Sequence, residues 1–334
     1  MNGKKRQPAP GQARRVLLLG ATGTIGRATC DALLAAGHEV VCFVRDTPAR
    51  ESRRGLPCAA AVRFGDVTDP ASIFRDGLCG EPFDAVVSCL ASRTGTPEDA
   101  WAIDHRAHLN ALSAAHSAGV GHFVLLSAIC VQKPELEFQH AKLAFERALM
   151  DSGMTHSIIR PTAYFKSLSG QLDRLRAGKP YLLFGDGRLT ACKPISDRDL
   201  ARYIAGCLDD PLRWDRTLPV GGPGPALTPL DMGQRLFELL QTEPRFRRVP
   251  VALMNGIVAG LTVAGHVAPR LRPKAELARI GRYYATESML VRDSRTGRYS
   301  AAATPSFGED TLFDFYARLV RGETSVNRGD HAVF

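Results

Sequence analysis

The sequence has no C-x-x-C pair, no histidines paired at metal-ligand spacing, no internal repeat, no long linker and no recognisable nucleic-acid-binding module. The first two absences argue against zinc and cysteine-ligated iron–sulfur sites. Eight cysteines scattered at 30, 42, 58, 79, 89, 130, 192 and 207 fit a reducing compartment better than a disulfide framework. The opening residues, M-N-G-K-K-R-Q-P-A-P-G-Q, are polar and lack an apolar core, so residues 1–12 are expected to be a disordered tail rather than a secretion signal. The net charge is +9, but Lys and Arg are spread along the chain, with short clusters only at Lys4–Arg6 and Arg245–Arg248. Such a spread argues against a nucleic-acid partner. It leaves a cytoplasmic globular protein, with peripheral contact to an anionic membrane as a second expectation. With 334 residues, 45% of them hydrophobic, the chain can bury a large core.

What is present starts with V-L-L-L-G-A-T-G-T-I-G at 16–26. An uncharged apolar run reads as a buried strand, and Gly20, Gly23 and Gly26 turn it sharply into a helix. In such a turn Gly20 allows the tight bend, Gly23 lets a pyrophosphate approach the backbone and Gly26 lets the helix pack on the strand. Thr22, Thr24 and Ile25 complete the cradle. The helix is predicted to end at Gly37-His38 and Glu39–Val44 to form a second strand. At its end the order Phe43-Val44-Arg45-Asp46 puts an arginine where a ribose 2′-phosphate would lie, which favours NADP(H) over NAD.

Further strands are predicted over Val62–Gly65, Phe83–Leu90, His122–Leu126 and Thr155–Arg160, and helices over Ala100–Ala118 and Phe138–Ser152. Strands alternating with helices make an α/β, doubly wound parallel sheet. Ligands lie across the carboxyl ends of such strands, so Asp66 and Val67 are expected near the adenine and Ser88, Cys89 and Leu90 near the middle of the cofactor. Ser127 and Pro161 mark the tips of the fifth and sixth strands. Beyond residue 165, Ser167–Ala177 reads as a helix, Tyr181–Leu189 as a hairpin, Ser196 as the cap of another helix, Leu218–Val220 as a last strand and Thr228–Leu240 as an amphipathic helix. Asp197 and Asp199 read as first-turn charges.

G-A-T-G-T-I-G, F-V-R-D, G-D-V-T-D, the Ser127 strand tip, Lys142 and R-P-T-A-Y-F at 160–165 resemble the short-chain dehydrogenase superfamily, in its atypical branch of NmrA-like and isoflavone-reductase-like proteins. The resemblance implies a Rossmann-type NADP-binding domain over 13–245, carrying substrate elements from about 165, and a smaller C-terminal substrate-binding or lid region over 246–334. Longer segments, among them L-S-A-I-C-V-Q-K-P, F-Q-H-A-K-L-A-F-E and F-G-D-G-R-L-T-A-C-K-P-I-S-D-R-D-L, resemble members of that branch that use NADPH to reduce the 8-vinyl group of a divinyl chlorophyllide-type tetrapyrrole in (bacterio)chlorophyll biosynthesis. The oligomeric state is left open. Two other readings stand beside this one: an NADPH reductase of another small conjugated substrate, and a non-catalytic NADP-sensing regulator.

One departure bears on the chemistry. The superfamily pattern has a tyrosine four residues before its lysine, and here Phe138 stands four residues before Lys142. A phenyl ring donates no proton. Reduction of a conjugated carbon–carbon bond tolerates that loss, because no carbonyl oxygen needs protonation. The resemblance points to Lys142 as the residue that holds the nicotinamide ribose or supplies the proton, with Tyr164 and His140 as further donors. A flat apolar ring with a rim carboxylate calls for an oily pocket and a basic anchor, for which Lys166, Lys193 and Arg282 are candidates by location. Val249–Pro269 contains no charge but is interrupted by Pro250, Asn255, two closely spaced glycines and His266. It is predicted to be a lid over the ring, a contact with anionic lipid, or a buried helix pair, rather than a membrane span.

Overall fold

The computed structural model describes residues 11–46 and 55–326, so the expected tail up to residue 10, with its Lys4–Arg6 cluster, lies outside the described residues. The apolar runs form strands β1 (Arg15–Leu19), β2 (Glu39–Val44), β3 (Ala61–Phe64), β4 (Ala85–Ser88), β5 (His122–Leu126) and β6 (Thr155–Pro161). After a separate strand, β7 (Tyr181–Phe184), comes β8 (Arg216–Val220). Seven of these make one all-parallel sheet in the order β3-β2-β1-β4-β5-β6-β8. The buried residues 16–19 of β1 and Ala85–Ser88 of β4 carry no charge because both faces of the sheet are covered.

On one face lie α1 (Thr24–Ala35) and α7 (Asp197–Gly206), packed through Cys30, Leu33, Leu200 and Ile204. Covering the other face are α3 (His108–Ser117) and α4 (Glu137–Asp151), which contribute Ala111, Ala115, Phe145 and Leu149. The run entering α3 starts as α2 (Pro97–Ala100) and passes through a π-helical stretch, Trp101–Ala107. Such wide turns interrupt a regular helix and often sit at functional sites.

The remaining chain builds a third core from α5 (Phe165–Leu168), α6 (Leu172–Arg176), α8 (Pro229–Leu240), β9 (Phe246–Val249), α9 (Val251–Val267), α10 (Arg272–Thr286), β10 (Val291–Arg292), β11 (Tyr299–Ser300) and α11 (Leu312–Arg321). Leu172, Tyr181, Leu236, Tyr283 and Tyr316 meet in it. Here the structure corrects several sequence expectations. The predicted helix over 167–177 is broken into two at Ser169–Gln171, where the Ser169 hydroxyl turns back to donate to the Lys166 carbonyl. The predicted hairpin at 181–189 does not form. The turn around Gly185 and Gly187 is present, but β7 pairs in parallel with β9 on one edge, and the Gln171 side-chain amide brackets Leu182 on the other. A hairpin partner has no free edge to take. The β7–β9 pairing also crosses the boundary expected at 245/246, so residues 165–245 and 246–326 share one core. The buried-helix reading of 249–269 fails as well: of α9 only Gly265 is buried.

Candidate active site

Gly20 follows β1 directly, at φ +76, and a Cβ there would stand 2.6 Å from the backbone of Cys89 at the end of β4. A Cβ on Gly26 would stand 2.0 Å from the Gly20 carbonyl oxygen, whereas one on Gly23 would meet nothing nearer than 3.4 Å. Gly20 and Gly26 are therefore demanded by the chain's packing on itself, while Gly23 faces open space. Thr22, Gly23 and Thr24 are exposed and Ile25 half-buried. Gly23 is the residue before α1 and supplies no side-chain cap, so among the described residues no capping side chain competes for the helix's first amides. The turn lies between β1 and β4, where the strand order reverses. The Lys166 ammonium reaches it, 3.2 Å from Thr24 Oγ1. The cradle fits a dinucleotide pyrophosphate on all three counts: close approach, unpaired amides and positive charge. Among the described residues, no group of three or more His, Cys, Asp or Glu is placed to hold a metal ion.

Arg45 is exposed at the end of β2, and its charge helps to hold the Asp66 carboxyl below the usual range, after the hydrogen bonds that carboxyl accepts from Thr68. Asp66 Oδ1 takes both the Thr68 N–H and hydroxyl, each at 2.8 Å. The Val67 carbonyl accepts from Asn110 Nδ2 at 3.0 Å. Both residues thus shape the β3 loop.

At the next tips the side chains point inward. Ser88 is fully buried and its hydroxyl pairs with His108 Nε2 at 2.9 Å, while Cys89 and Leu90 offer backbone toward the glycine turn. Burial pushes the Cys89 thiol up to about 12. The Ser127 hydroxyl donates to Glu146, a buried carboxylate that also pairs with Arg160. Pro161 is buried at the tip of β6, in register with Val220.

Lys142 lies at the centre of a second cluster of candidate site residues. Its ammonium lies 2.8 Å from Asp104 Oδ1, on the π-helical stretch, and the pair is almost fully buried. Asp104 Oδ1 also accepts from the Ser92 N–H at 3.3 Å, but Oδ2 has no hydrogen-bond partner. Ser127, His108, Leu125, Leu126 and Phe145 close this recess. His140 is not part of it. Two residues apart on a helix are about 200° apart around the axis, and His140 sits exposed on the far side of α4. Phe138 instead fills an apolar corner: a Cβ on Gly95 would be 2.9 Å from Ile280 Cδ1 and 4.0 Å from the Phe138 ring.

Ile280 lies on α10, and one turn further the same helix brings Tyr284, whose hydroxyl is 3.8 Å from Cys130 Sγ just beyond the β5 tip. Tyr284 is 38% exposed, its side chain reaching solvent while its hydroxyl meets Cys130. Burial of the hydroxyl end, then Cys130 and Tyr164, push its phenol well above the ordinary value. Tyr164 is half-buried and its phenol is likewise pushed up, by burial and then by Cys89, Cys130 and Asp197. Asp197 Oδ1 is buried without a partner, and burial raises this carboxyl despite Lys166. Asp104, Asp197, Cys130 and Tyr284 are the residues sequence reasoning missed as site residues. Only an acid within a mostly apolar helical run hinted at Asp104, and nothing local marked Tyr284. Of the basic anchors, Lys193 is tied to Thr304 and Ser306, and Arg282 to Asn255.

A family model described as NAD(P)H-binding matches residues 20–211. The chain is 47% identical over 337 residues to the chloroplastic divinyl chlorophyllide a 8-vinyl-reductase of Zea mays, covering 97% of this chain and 84% of that protein. Its fold is similar to that of AtPrR2 with NADP+ and (+)pinoresinol, at TM-score 0.70 and 18% identity over 92% of this chain and 98% of that one. It is also similar to the leucoanthocyanidin reductase–NADPH complex of Vitis vinifera, at TM-score 0.66 and 15% identity over 92% and 99%. On this full-length likeness, the chain belongs to the divinyl chlorophyllide a 8-vinyl-reductase family of NAD(P)H-binding proteins.

Proposed function

We propose that this protein reduces the 8-vinyl group of a 3,8-divinyl chlorophyllide-type pigment to ethyl at the expense of NADPH. The observation that carries this reading is 47% identity to the maize reductase over 97% of this chain, a likeness that extends beyond the NAD(P)H-binding match at residues 20–211. Gly20, Gly23, Gly26 and the amides opening α1 would hold the pyrophosphate, with Lys166 adding charge, and Arg45 would meet the 2′-phosphate. When bound, the reduced nicotinamide supplies a hydride to the vinyl carbon.

The protein's own task is to position the pigment and deliver one proton to the electron pair left in the conjugated ring. Asp104 pins the Lys142 ammonium in the recess, from which it would hold the cofactor ribose. Tyr284 and Tyr164 are phenols, protonated at neutral pH like any tyrosine, and burial raises both further. A phenol held in this way yields its proton only to a strong base, such as a ring carbanion. Tyr284 thus supplies from α10 the hydroxyl that Phe138 removes from α4.

The test is to incubate purified protein with NADPH and a divinyl chlorophyllide. A blue shift of the pigment absorption, with one NADPH consumed per vinyl group, is expected, and NADH should be a poorer donor. Tight NADPH binding without consumption would make the chain a regulator and overturn the reading. Turnover of a plant phenylpropanoid in place of the pigment would reassign the substrate.

A further inference from the structure

The outer face of α9 has no partner in the fold. Leu253 is 56% exposed, Ile257 50%, Val263 68% and Val267 87%, and Ala252, Gly256, Ala259 and Gly260 lie exposed between them. No stretch of comparable apolarity is left open on the strands or on the other helices of the described residues. The opposite face packs on α10, where Arg279 and Arg282 bond to Thr262 and Asn255 along the flank. An exposed apolar surface of this extent marks a contact.

Its surroundings indicate with what. Residues 244–275 contain no Asp or Glu, and they place Arg245, Arg247 and Arg248 before the helix and Arg270, Arg272 and Lys274 after it. All six are exposed, and none is ion-paired with an acid among the described residues. Cations therefore flank both ends of an uncharged apolar helix. A second copy of the chain is a poor occupant, because parallel or antiparallel self-pairing of α9 would bring cation onto cation. A surface that is apolar within and anionic at its edge matches both features. With 17 residues the helix is about 26 Å long, and no helix of the described residues is long and apolar enough to cross a membrane.

We infer that α9 lies flat in the interfacial layer of an anionic bilayer, its Leu253–Val267 face among the acyl chains and the two basic flanks on lipid headgroups. The inference does not rest on the reductase reading, since it uses no residue of the cofactor or proton machinery.

Flotation of the full chain with phosphatidylcholine vesicles, with and without one-third phosphatidylglycerol, tests it. Binding is expected on the anionic vesicles and little on the neutral ones. A Leu253→Glu/Ile257→Glu variant should abolish it. An Arg247→Glu/Arg248→Glu variant should weaken it roughly tenfold or more. Both variants alter exposed side chains, so circular dichroism should be unchanged and turnover of detergent-dispersed pigment retained. Failure of the wild type to float, or flotation indifferent to the glutamates, would overturn the inference. So would a dimer that Ile257→Glu dissociates, which would make the face a self-interface, or a rise in the KM for pigment without vesicle binding, which would make α9 a lid.

Discussion

Gly23 and Gly26 stand three residues apart and should fail in opposite ways when a methyl group is added. At Gly26 the new Cβ would lie 2.0 Å from the Gly20 carbonyl oxygen. The turn must open to admit it, at a cost of about 1–3 kcal/mol in unfolding free energy. At Gly23 the nearest atom is 3.4 Å away, so Gly23→Ala should unfold at the wild-type denaturant midpoint while binding NADPH at least tenfold more weakly in a fluorescence titration. Equal stability losses for the two variants would show that Gly23 also serves packing. Tyr284 makes a comparable separation possible. Its hydroxyl makes one long contact to Cys130 Sγ, at 3.8 Å, among the described residues, so Tyr284→Phe should fold normally. As proton donor it should lower kcat about a hundredfold with little change in KM, and the residual rate should rise with added weak acids. A KM effect alone would leave Tyr284 a wall of the pocket.

Among elements, α7 shows how much the C-terminal chain depends on one cap. Ser196 Oγ accepts from the Asp199 N–H, as the sequence suggested, and also donates to Asp310. The Asp199 carboxylate does more than charge the first turn: fully buried, it accepts the N–H groups of Glu309 and Asp310 at 2.9 and 2.8 Å. It thereby clasps the loop before α11 onto the cofactor domain. Asp199→Asn can keep one oxygen for these two N–H groups but turns its amide donor toward the Arg202 guanidinium, 3.4 Å from Oδ1, and should cost about 2 kcal/mol, read as a lower urea midpoint and as earlier proteolytic cleavage near residues 305–311. At this scale α2–α3 is also instructive. The sequence predicts a plain helix over 100–118, but the chain runs through a π-helical stretch on which Asp104 meets Lys142 of α4. Spacing along one helix could not reveal that, since the reason lies on another.

For the whole molecule, the buried histidines set the acid limit of stability. Burial, then Lys142, pushes His108 down to about 4, and burial, then Arg14, pushes His122 down to about 3. The folded chain refuses protons that the unfolded chain accepts below about 6.5, so stability is full above that pH and falls as pH drops toward the folded values. The loss should be on the order of 2–3 kcal/mol per histidine by pH 4, seen as urea midpoints falling between pH 6.5 and 4. A His122→Gln variant, which keeps a partner for Ser157, should flatten that slope. A midpoint independent of pH across this range would refute the assignment of neutral buried histidines.

The sheet and its glycine turn were legible from the residues alone, because both obey local rules. Uncharged β-branched and leucine runs bounded by Gly, Asp and Ser can only be buried strands, and a glycine trio after the first of them can only be a tight turn into a helix. Beyond residue 165 those rules lost their hold. The edge of β7 was claimed by Gln171 and by a strand more than sixty residues away, and α9 remained outside although its composition suited a core. Nor could the chain by itself bring Tyr284 to the tip of β5 or set Asp104 beneath Lys142. Sequence determined which segments must be buried strands and where a glycine turn opens the first helix; tertiary structure alone decided which distant polar groups meet, since such meetings depend on how helices cross and not on how residues repeat.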